Sequence, residues 1–351
     1  MKKILVSMLA VAALVACSQE DVIVADKGDA IGFDTFVCNA TRIDDPSLTT
    51  KNLKNFAVFG AITSNVGEST ATALIFDNTK VEGSAPAQDG GYTVWSYEGL
   101  QYWMKDAKYN FAAVAPYNAY TNASYTVAAD ANGKLVGTTT FDFANDGTVD
   151  LIYAEATAVG QGGSGNPNAP ANGKVQFEFR HILSKIKFSF ENQYLATGST
   201  IRVYDVVLYN AHKNGTVELG AETKWTGWET GAWEGNIDFG DTENTTNDPT
   251  ATSIKQGTEW ESENARFLIP GTKKIYSVMF NVDVLYGDTV VKTYEHVATL
   301  EFKPEAGVAY DIKSTISHKN IDPSSSQEPI QFTVTKVNEW DDYQPKDAKI
   351  N

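Results

Sequence analysis

Apolar residues that recur at every second position are the feature of this chain that most limits its fold. Residues 185–190 show the pattern clearly, because lysine or serine alternates there with isoleucine or phenylalanine. This spacing is that of a half-buried β-strand, whereas an amphipathic helix needs a spacing of three to four. Further β-type runs lie at 56–59, 91–95, 109–114, 201–209, 275–285 and 290–302. Together they predict an all-β fold.

The first sixteen residues predict export. Lys2 and Lys3 precede a short apolar run at 4–13, which has the shape of a secretory signal and is too short for a permanent membrane span. Leu14-Val15-Ala16-Cys17 then resembles a lipobox, where the cysteine thiol receives a lipid before the peptide is cut. We predict a signal peptide at 1–16, a lipidated tether at 17–30, and a surface-exposed outer-membrane lipoprotein held by acyl chains (palmitate) on Cys17. An ordinary signal peptide ending near a cysteine is the alternative.

Charge and cysteine content limit the partners and the means of stabilisation. The formal net charge of −16 argues against binding to nucleic acid. With Cys17 lipidated, Cys38 is the remaining thiol of the two in the sequence, so an internal disulfide is excluded. The fold must therefore rest on the burial of apolar side chains, and Cys38 itself fits best as a small buried residue.

A stretch rich in glycine, asparagine and proline at 160–170 nearly halves the exported chain. Such a composition cannot build a core and is typical of a loop or linker. We therefore predict an N-terminal β-sandwich domain over residues 31–173 and a C-terminal β-sandwich domain over residues 174–351.

Motifs that would support catalysis or metal binding are missing from the sequence. The four histidines, His181, His212, His296 and His318, do not pair at the spacing of metal ligands, and no nucleophile elbow or phosphate-binding glycine loop occurs. The short acidic runs that begin at Asp130 and Asn145 lack the later ligands of a calcium loop and are typical of turns. We predict a protein that is not an enzyme and that has no cofactor, no metal site and no catalytic residues.

Several segments, taken in order, resemble the fimbrillin-like (Mfa-like) lipoproteins of the Bacteroidales. Residues 102–117 are similar to the family's Tyr-Trp…Phe-x-Ala-x-x-Pro stretch, although Met104 stands where proline is frequent. The remaining matching segments are 150–154, 179–188, 267–270, 305–310 and 330–340. The resemblance covers nearly the whole exported chain, and it implies two transthyretin-like β-sandwich domains in tandem.

Many members of this family are subunits of type V pili (fimbriae). The resemblance therefore implies that this chain is a structural or accessory subunit of such pili and supports adhesion. In that mechanism a trypsin-like protease cuts after an arginine that follows the first strand. The strand then leaves its groove, and the C-terminal strand of another fimbrial subunit fills it. The physical basis is β-strand addition, since an open groove presents unpaired backbone groups and an apolar surface.

The N-terminal part of this mechanism maps onto residues 31–43. Ile31, Phe33, Phe36 and Cys38 are the apolar positions of the predicted first strand. Arg42 is the only basic residue between Lys27 and Lys51, so the resemblance places the processing site between Arg42 and Ile43. An uncut surface turn is the alternative.

The C-terminal part maps onto residues 330–340, the candidate donor strand. Ile330, Phe332 and Val334 alternate with polar residues, and Val337 and Trp340 continue the apolar content after a shift of phase. Burial of each such side chain would contribute about 1.5–3 kcal/mol before ordering costs. The same alternation would also fit a strand that folds back onto its own domain.

A second hypothesis is a monomeric surface lipoprotein that binds a host protein or glycan. Trp225, Trp228 and Trp233 lie close together in the sequence and could form a stacking platform. A hairpin that packs these tryptophans inward would fit the same sequence.

Overall fold

The computed structural model confirms the prediction of an all-β protein. It describes residues 30–37, 47–66, 69–86, 92–104, 107–159, 174–194, 196–220, 222–226, 234–243, 254, 257–262, 264–272, 274–321 and 330–339.

The strands of the N-terminal half are β1 Gly32–Val37, β2 Asn55–Val66, β3 Ser69–Pro86, β4 Tyr92–Ser96, β5 Lys108–Ala115, β6 Thr121–Ala129, β7 Leu135–Ala144 and β8 Ile152–Val159. The strands that follow, up to residue 243, are β9 Lys174–His181, β10 Ser184–Gln193, β11 Ser199–His212, β12 Asn214–Leu219, β13 Thr223–Thr226, β14 Glu234–Asp238 and β15 Thr242–Glu243. The last elements are β16 Glu259–Ser262, β17 Arg266–Leu268, β18 Lys274–Tyr286, β19 Thr289–Phe302, β20 Val308–Ser317, the short helix α1 His318–Ile321 and β21 Phe332–Glu339.

A seven-stranded sheet with the order β1-β9-β8-β5-β2-β3-β4 forms the centre of the N-terminal half. It curls so that its two ends approach each other, since Ala30 bridges to Tyr102 and the Ile31 amide donates to the Gln101 carbonyl at 2.8 Å. One face encloses a core rich in phenylalanine from β1, β2, β3, β5 and β9. The inward side chains of β1 therefore lie in this enclosed core.

A four-stranded sheet with the order β13-β12-β7-β6 covers the other face of the seven-stranded sheet. The core between the two includes Phe59, Phe141, Tyr153 and Val217. The C-terminal half is a second sandwich, in which β15-β16-β10-β20-β21, with β17 beside β10, packs on β14-β11-β18-β19. Most strand pairs are antiparallel, whereas β1 pairs with β9, and β10 with β20, in parallel.

The predicted domain boundary at residue 174 falls inside a shared sheet. Strand β9, which begins at Lys174, pairs with β1 and β8, and the β12–β13 hairpin extends the sheet of β6 and β7. The Gly-rich stretch 160–170, on which the boundary was based, lies outside the described residues. A break in composition marks a connection along the chain, but hydrogen bonding between distant strands decides which sheet a strand joins.

Candidate functional site

Strand β1 is held by a buried inward face. Ile31, Phe33 and Val37 are exposed by only 1%, 2% and 1%, respectively. Phe36, which is among the apolar positions predicted for this strand, does not belong to the buried face, because its side chain is 44% exposed and Val37 is buried instead. The strand stays extended from residue 32 to residue 37 without a bulge, so the period of two runs on from Phe33 through Thr35.

Phe33 lies at the centre of the aromatic core. Its ring centroid is 5.5 Å from those of Phe76 and Tyr97 and 5.7 Å from that of Phe177. The rings of Phe56 and Phe111 lie slightly farther away, at 6.3 and 6.4 Å. Edge-on and offset arrangements of this kind stabilise aromatic clusters beyond the burial of area.

The backbone of β1 completes the sheet. Residues 32–37 pair in parallel with 174–179 of β9, whereas β8 pairs only with Arg180 and His181 at the far end of β9. Within the described part of the chain, residues 174–179 therefore pair with β1 and with no other strand. We call the site that β1 fills, between β9 and residues 97–102, the first-strand slot.

Hydrogen bonds close the outer edge of β1 at both ends. At Ile31 the amide donates to the Gln101 carbonyl, and the carbonyl accepts from the Tyr97 hydroxyl at 2.7 Å. Burial raises the pKa of Tyr97 above its ordinary value of 10, so the phenol stays a donor at neutral pH. At Val37 the Thr50 hydroxyl accepts from the amide at 2.9 Å and donates to the carbonyl at 3.2 Å.

Residues 47–53, which follow the predicted processing site, form a braced turn. The Leu48 amide donates to Asp150 Oδ2 at 2.7 Å, and Asp150 lies 2.9 Å from His181 Nδ1. Both side chains of this pair are almost completely buried. The Asn52 side chain closes the turn, because its Oδ1 accepts from the Thr49 amide at 2.6 Å and its Nδ2 donates to the Ser47 carbonyl at 2.9 Å.

Strand β21 contains most of the predicted donor strand and lies at an edge of the C-terminal sandwich. It pairs antiparallel with β20, with Phe332 opposite Ser314 and Val334 opposite Ile312. The register shifts at Ala309 and Tyr310, which face Asn338 and Lys336, so Val337 is the extra residue of a β-bulge. The shift of phase that the sequence shows at Val337 thus coincides with a bulge.

The inward face of β21 is only partly covered. Ile330, just before the strand, is 6% exposed, whereas Phe332 and Val334 are half-buried against the core. The Phe332 ring lies 5.5 Å from Phe188, 6.1 Å from Phe280 and 6.2 Å from Phe190. This strand therefore contacts the core but keeps part of its apolar surface in water.

Within one chain, β1 and β21 belong to different sheets, so the structure does not bring the two predicted segments together. The residues Cys17, Cys38, Arg42, Ile43 and Trp340 lie outside the described residues. Val37 and Thr50, which lie on either side of Arg42 in the chain, are nevertheless held together, because the Thr50 hydroxyl is hydrogen-bonded to the Val37 backbone.

Trp225 of the second hypothesis packs inward. It is 7% exposed, and its indole N–H donates to the Ile182 carbonyl at 3.2 Å. Its ring also lies 6.1 Å from Phe143. Trp225 thus cannot contribute to an exposed stacking platform, and Trp228 and Trp233 fall outside the described residues.

Among the described residues no group of three or more His, Cys, Asp or Glu side chains is arranged to hold a metal ion. The turn at 145–147 has a structural role instead, because it is tied to Phe267. The buried Asn145 side chain donates to the Phe267 carbonyl at 3.0 Å and accepts from the Gly147 amide at 2.9 Å. In the same part of the chain, no helix is long and apolar enough to cross a membrane.

Comparison with known proteins gives a consistent result. Residues 41–340 match the family model described as fimbrillin-like. A fimbrial protein from Bacteroides vulgatus superposes with a TM-score of 0.50 at 18% identity, covering 89% of this chain and 99% of that one. A candidate cell adhesion protein from Bacteroides uniformis gives 0.48 at 16% identity, covering 89% and 98%. At 18% identity the Bacteroides vulgatus structure shows similarity of fold alone, and no curated protein matches.

Proposed function

The chain belongs to the fimbrillin-like family, and from this premise we propose that it is a structural or accessory subunit of a type V fimbria that supports adhesion. Cys17 anchors the precursor to the outer membrane through its acyl chains, and a trypsin-like protease cuts between Arg42 and Ile43. The processed subunit then joins other subunits by strand exchange. This role is non-enzymatic, in keeping with a pilin-like family.

Cleavage acts on the one covalent connection between β1 and the rest of the fold. Afterwards β1 is held by non-covalent contacts alone: its ladder to β9, its hydrogen bonds at Ile31 and Val37, the contacts of Asp34 with Lys174 and Gln176, and its buried side chains. Loss of β1 would leave residues 174–179 without their ladder and would open the pocket of Phe33. An exposed strand edge beside an apolar pocket is the surface that takes up an additional strand.

The observation that carries the proposal is a match between β1 and the C-terminal strand. Ile31-Gly32-Phe33 and Ile330-Gln331-Phe332 place isoleucine and phenylalanine at the same spacing on an inward face. With Phe332 in the place of Phe33, Val334 takes the place of Thr35. In β21 the extra residue follows Lys336, so Val337 takes the place of Val37 when the bulge moves by one residue, to Lys336, in the slot.

The same match favours one direction for the incoming strand. If the strand ran opposite to β1 with Phe332 still in the place of Phe33, Glu328 would fall at the place of Val37. Val37 is only 1% exposed, and an unpaired carboxylate is costly in such a place. We therefore place the donor parallel to β9, as β1 is. Half-buried Phe332 would gain burial in this pocket, which contributes to the driving force for exchange.

Variants of Arg42 test the proteolytic step. Arg42→Ala should leave the precursor uncut and monomeric, whereas Arg42→Lys, which a trypsin-like protease also accepts, should be processed. Size-exclusion chromatography and electron microscopy of the surface protein would measure assembly. N-terminal sequencing should find Ile43 in assembled chains and a blocked, acylated Cys17 in uncut ones.

Deletion of residues 330–351 tests the donor step. The shortened chain should be cut after Arg42 and yet remain monomeric, because its slot is open but it has no strand to give. If both Arg42→Ala and the deletion variant formed normal filaments, assembly would not depend on either segment and the proposal would be lost.

A further inference from the structure

The two groups of hydrogen bonds on the outer edge of β1 do not depend on the side chains of the strand, whereas the side-chain pocket does. They contact only backbone atoms of β1, at Ile31 and at Val37. Any strand in the slot presents the same amide and carbonyl groups, whatever its sequence. Such contacts therefore hold a strand in the slot and do not select which side chains it carries.

We propose that Thr50 and Tyr97 bind the backbone of the incoming strand of a second copy of this chain at the two ends of the first-strand slot, while the pocket of Phe33 sets the register of that strand. This inference rests on the proposed function. Thr50 binds the backbone at the place of Val37, and Tyr97, together with the Gln101 carbonyl, binds it at the place of Ile31. We call these two sets of contacts the Thr50 clamp and the Tyr97 clamp, and they define the two ends of the slot.

The chemistry of each clamp suits this task. A threonine hydroxyl is one donor and an acceptor, so a single side chain satisfies both the amide and the carbonyl of one residue. The Tyr97 hydroxyl donates to the carbonyl at the other end, while its ring is part of the pocket wall, 5.5 Å from Phe33 and 5.2 Å from Phe76. Tyr97 thus links the backbone position of the strand to the pocket of its phenylalanine.

Both clamps remain after processing, because Thr50, Tyr97 and Gln101 follow Arg42 in the chain. The Thr50 clamp is also fixed independently of β1. The braced turn that carries it is tied to the buried Asp150–His181 pair through the Leu48 amide. The turn therefore has contacts that hold it in place when the slot is empty.

The register can be measured with cysteine pairs. In β1, Phe36 faces Glu178 and Asp34 faces Gln176. With Phe332 in the place of Phe33, Thr335 faces Glu178, and a slip by two residues brings Thr335 to Gln176. A chain that begins at Ile43 has lost both native cysteines, so introduced pairs are the only thiols.

The experiment uses the full chain, processed after Arg42, with Glu178→Cys and Thr335→Cys in one variant and Gln176→Cys and Thr335→Cys in another. On oxidation the first variant should form disulfide-linked chains of many copies on a non-reducing gel, and the second should link poorly. A third variant with Lys174→Cys and Thr333→Cys reports a strand that runs in the opposite direction with Phe332 in the same pocket, and it should also link poorly.

Thr50→Val is then added, which keeps the shape of the side chain and removes both hydrogen bonds. The protein concentration needed for half-maximal linkage at position 178 should rise about tenfold, whereas position 176 should still link poorly, because the pocket of Phe33 continues to set the register. Thr50→Ser, which keeps the hydroxyl, should restore the original concentration dependence. Tyr97→Phe should act like Thr50→Val, and it provides a second route if the valine variant folds poorly.

The outcomes separate the two proposals. If the parent variants do not link at any position, strand exchange itself fails. If position 178 links in the parent, and Thr50→Val and Tyr97→Phe leave the half-maximal concentration unchanged, exchange stands and the clamps are overturned.

Discussion

The first and last strands of the described chain are built alike but are held differently. Both lie at the edge of a sheet, and both carry isoleucine and phenylalanine two residues apart on the inward face. Phe33 is 2% exposed and has five aromatic rings around it, whereas Phe332 is half-buried and has three. Strand β1 also has hydrogen bonds along its outer edge at both ends.

The difference shows that the first-strand slot buries its phenylalanine more completely than the C-terminal edge does. The same kind of strand buries more apolar surface in the first-strand slot than at the C-terminal edge, so an emptied slot would attract it. Strand β21 also has weaker ties to its own sheet than β1, which in the proposed mechanism would have to be cut before it could leave. The following predictions test this contrast, from the largest expected effect to the smallest.

Phe33→Ala should lower the free energy of unfolding of the uncut protein by about 3–5 kcal/mol, because it leaves a cavity inside a ring of aromatic side chains. Urea denaturation would measure the loss. Phe36→Ala is the matched control on the same strand, and its effect should be small because Phe36 is 44% exposed. Equal losses for the two variants would contradict the assignment of Phe33 as the anchor of β1.

Phe332→Ala should cost less, about 1–2 kcal/mol, because part of the ring is already in water. The same denaturation experiment gives the value, and hydrogen exchange at residues 332–336 shows whether β21 opens locally. A loss as large as that of Phe33→Ala would break the contrast between the two strands.

Acid should loosen β21 more than β1. Burial lowers the pKa of His296 below its ordinary value of 6.5. The His296 ring stacks on Phe280, with 5.4 Å between the centroids, and Phe280 in turn contacts Phe332. A depressed pKa means that the opened state takes up a proton that the folded state rejects. Stability is therefore complete above pH 6.5 and falls as the pH drops from there towards the lower folded value.

Hydrogen exchange of β21 and β1 at pH 7 and pH 5 would measure this effect, which should be smaller than that of Phe332→Ala. His296→Phe keeps an aromatic ring on Phe280 and removes the titration, so the added acid sensitivity of β21 should disappear. Unchanged acid sensitivity in this variant would assign it to other groups.

Asp34→Asn should have the smallest effect, below about 1 kcal/mol. Asp34 lies 3.0 Å from Lys174 on β9, but both side chains are more than one-third exposed. On β21 the comparable pair, Lys336 and Glu305, is 3.8 Å apart and also exposed. A large loss of stability for Asp34→Asn would mean that charge, and not apolar burial, separates the two strands.

Much of the fold follows from local pattern. The alternation at 185–190 becomes β10, because side-chain direction alternates within a strand, and the shift of phase at Val337 coincides with the extra residue of the bulge in the pairing with β20. Which of Phe36 and Val37 faces the core could not be read from the sequence, because both are apolar and the sequence does not show where the period of two is kept. The inward packing of Trp225 depended on its distant neighbour Ile182, which no short motif reveals.

By itself, the sequence determined that the chain is built of β-strands, that isoleucine and phenylalanine recur at equal spacing near both ends, and that a lone arginine follows the first strand. Only the tertiary structure decided that β1 pairs with β9, about 140 residues away in the chain, and that Thr50 and Tyr97 hold its edge. The reason is physical. Alternation fixes which face of a strand is apolar, but any open edge can satisfy its backbone, so the partner is chosen by the packing of the whole fold.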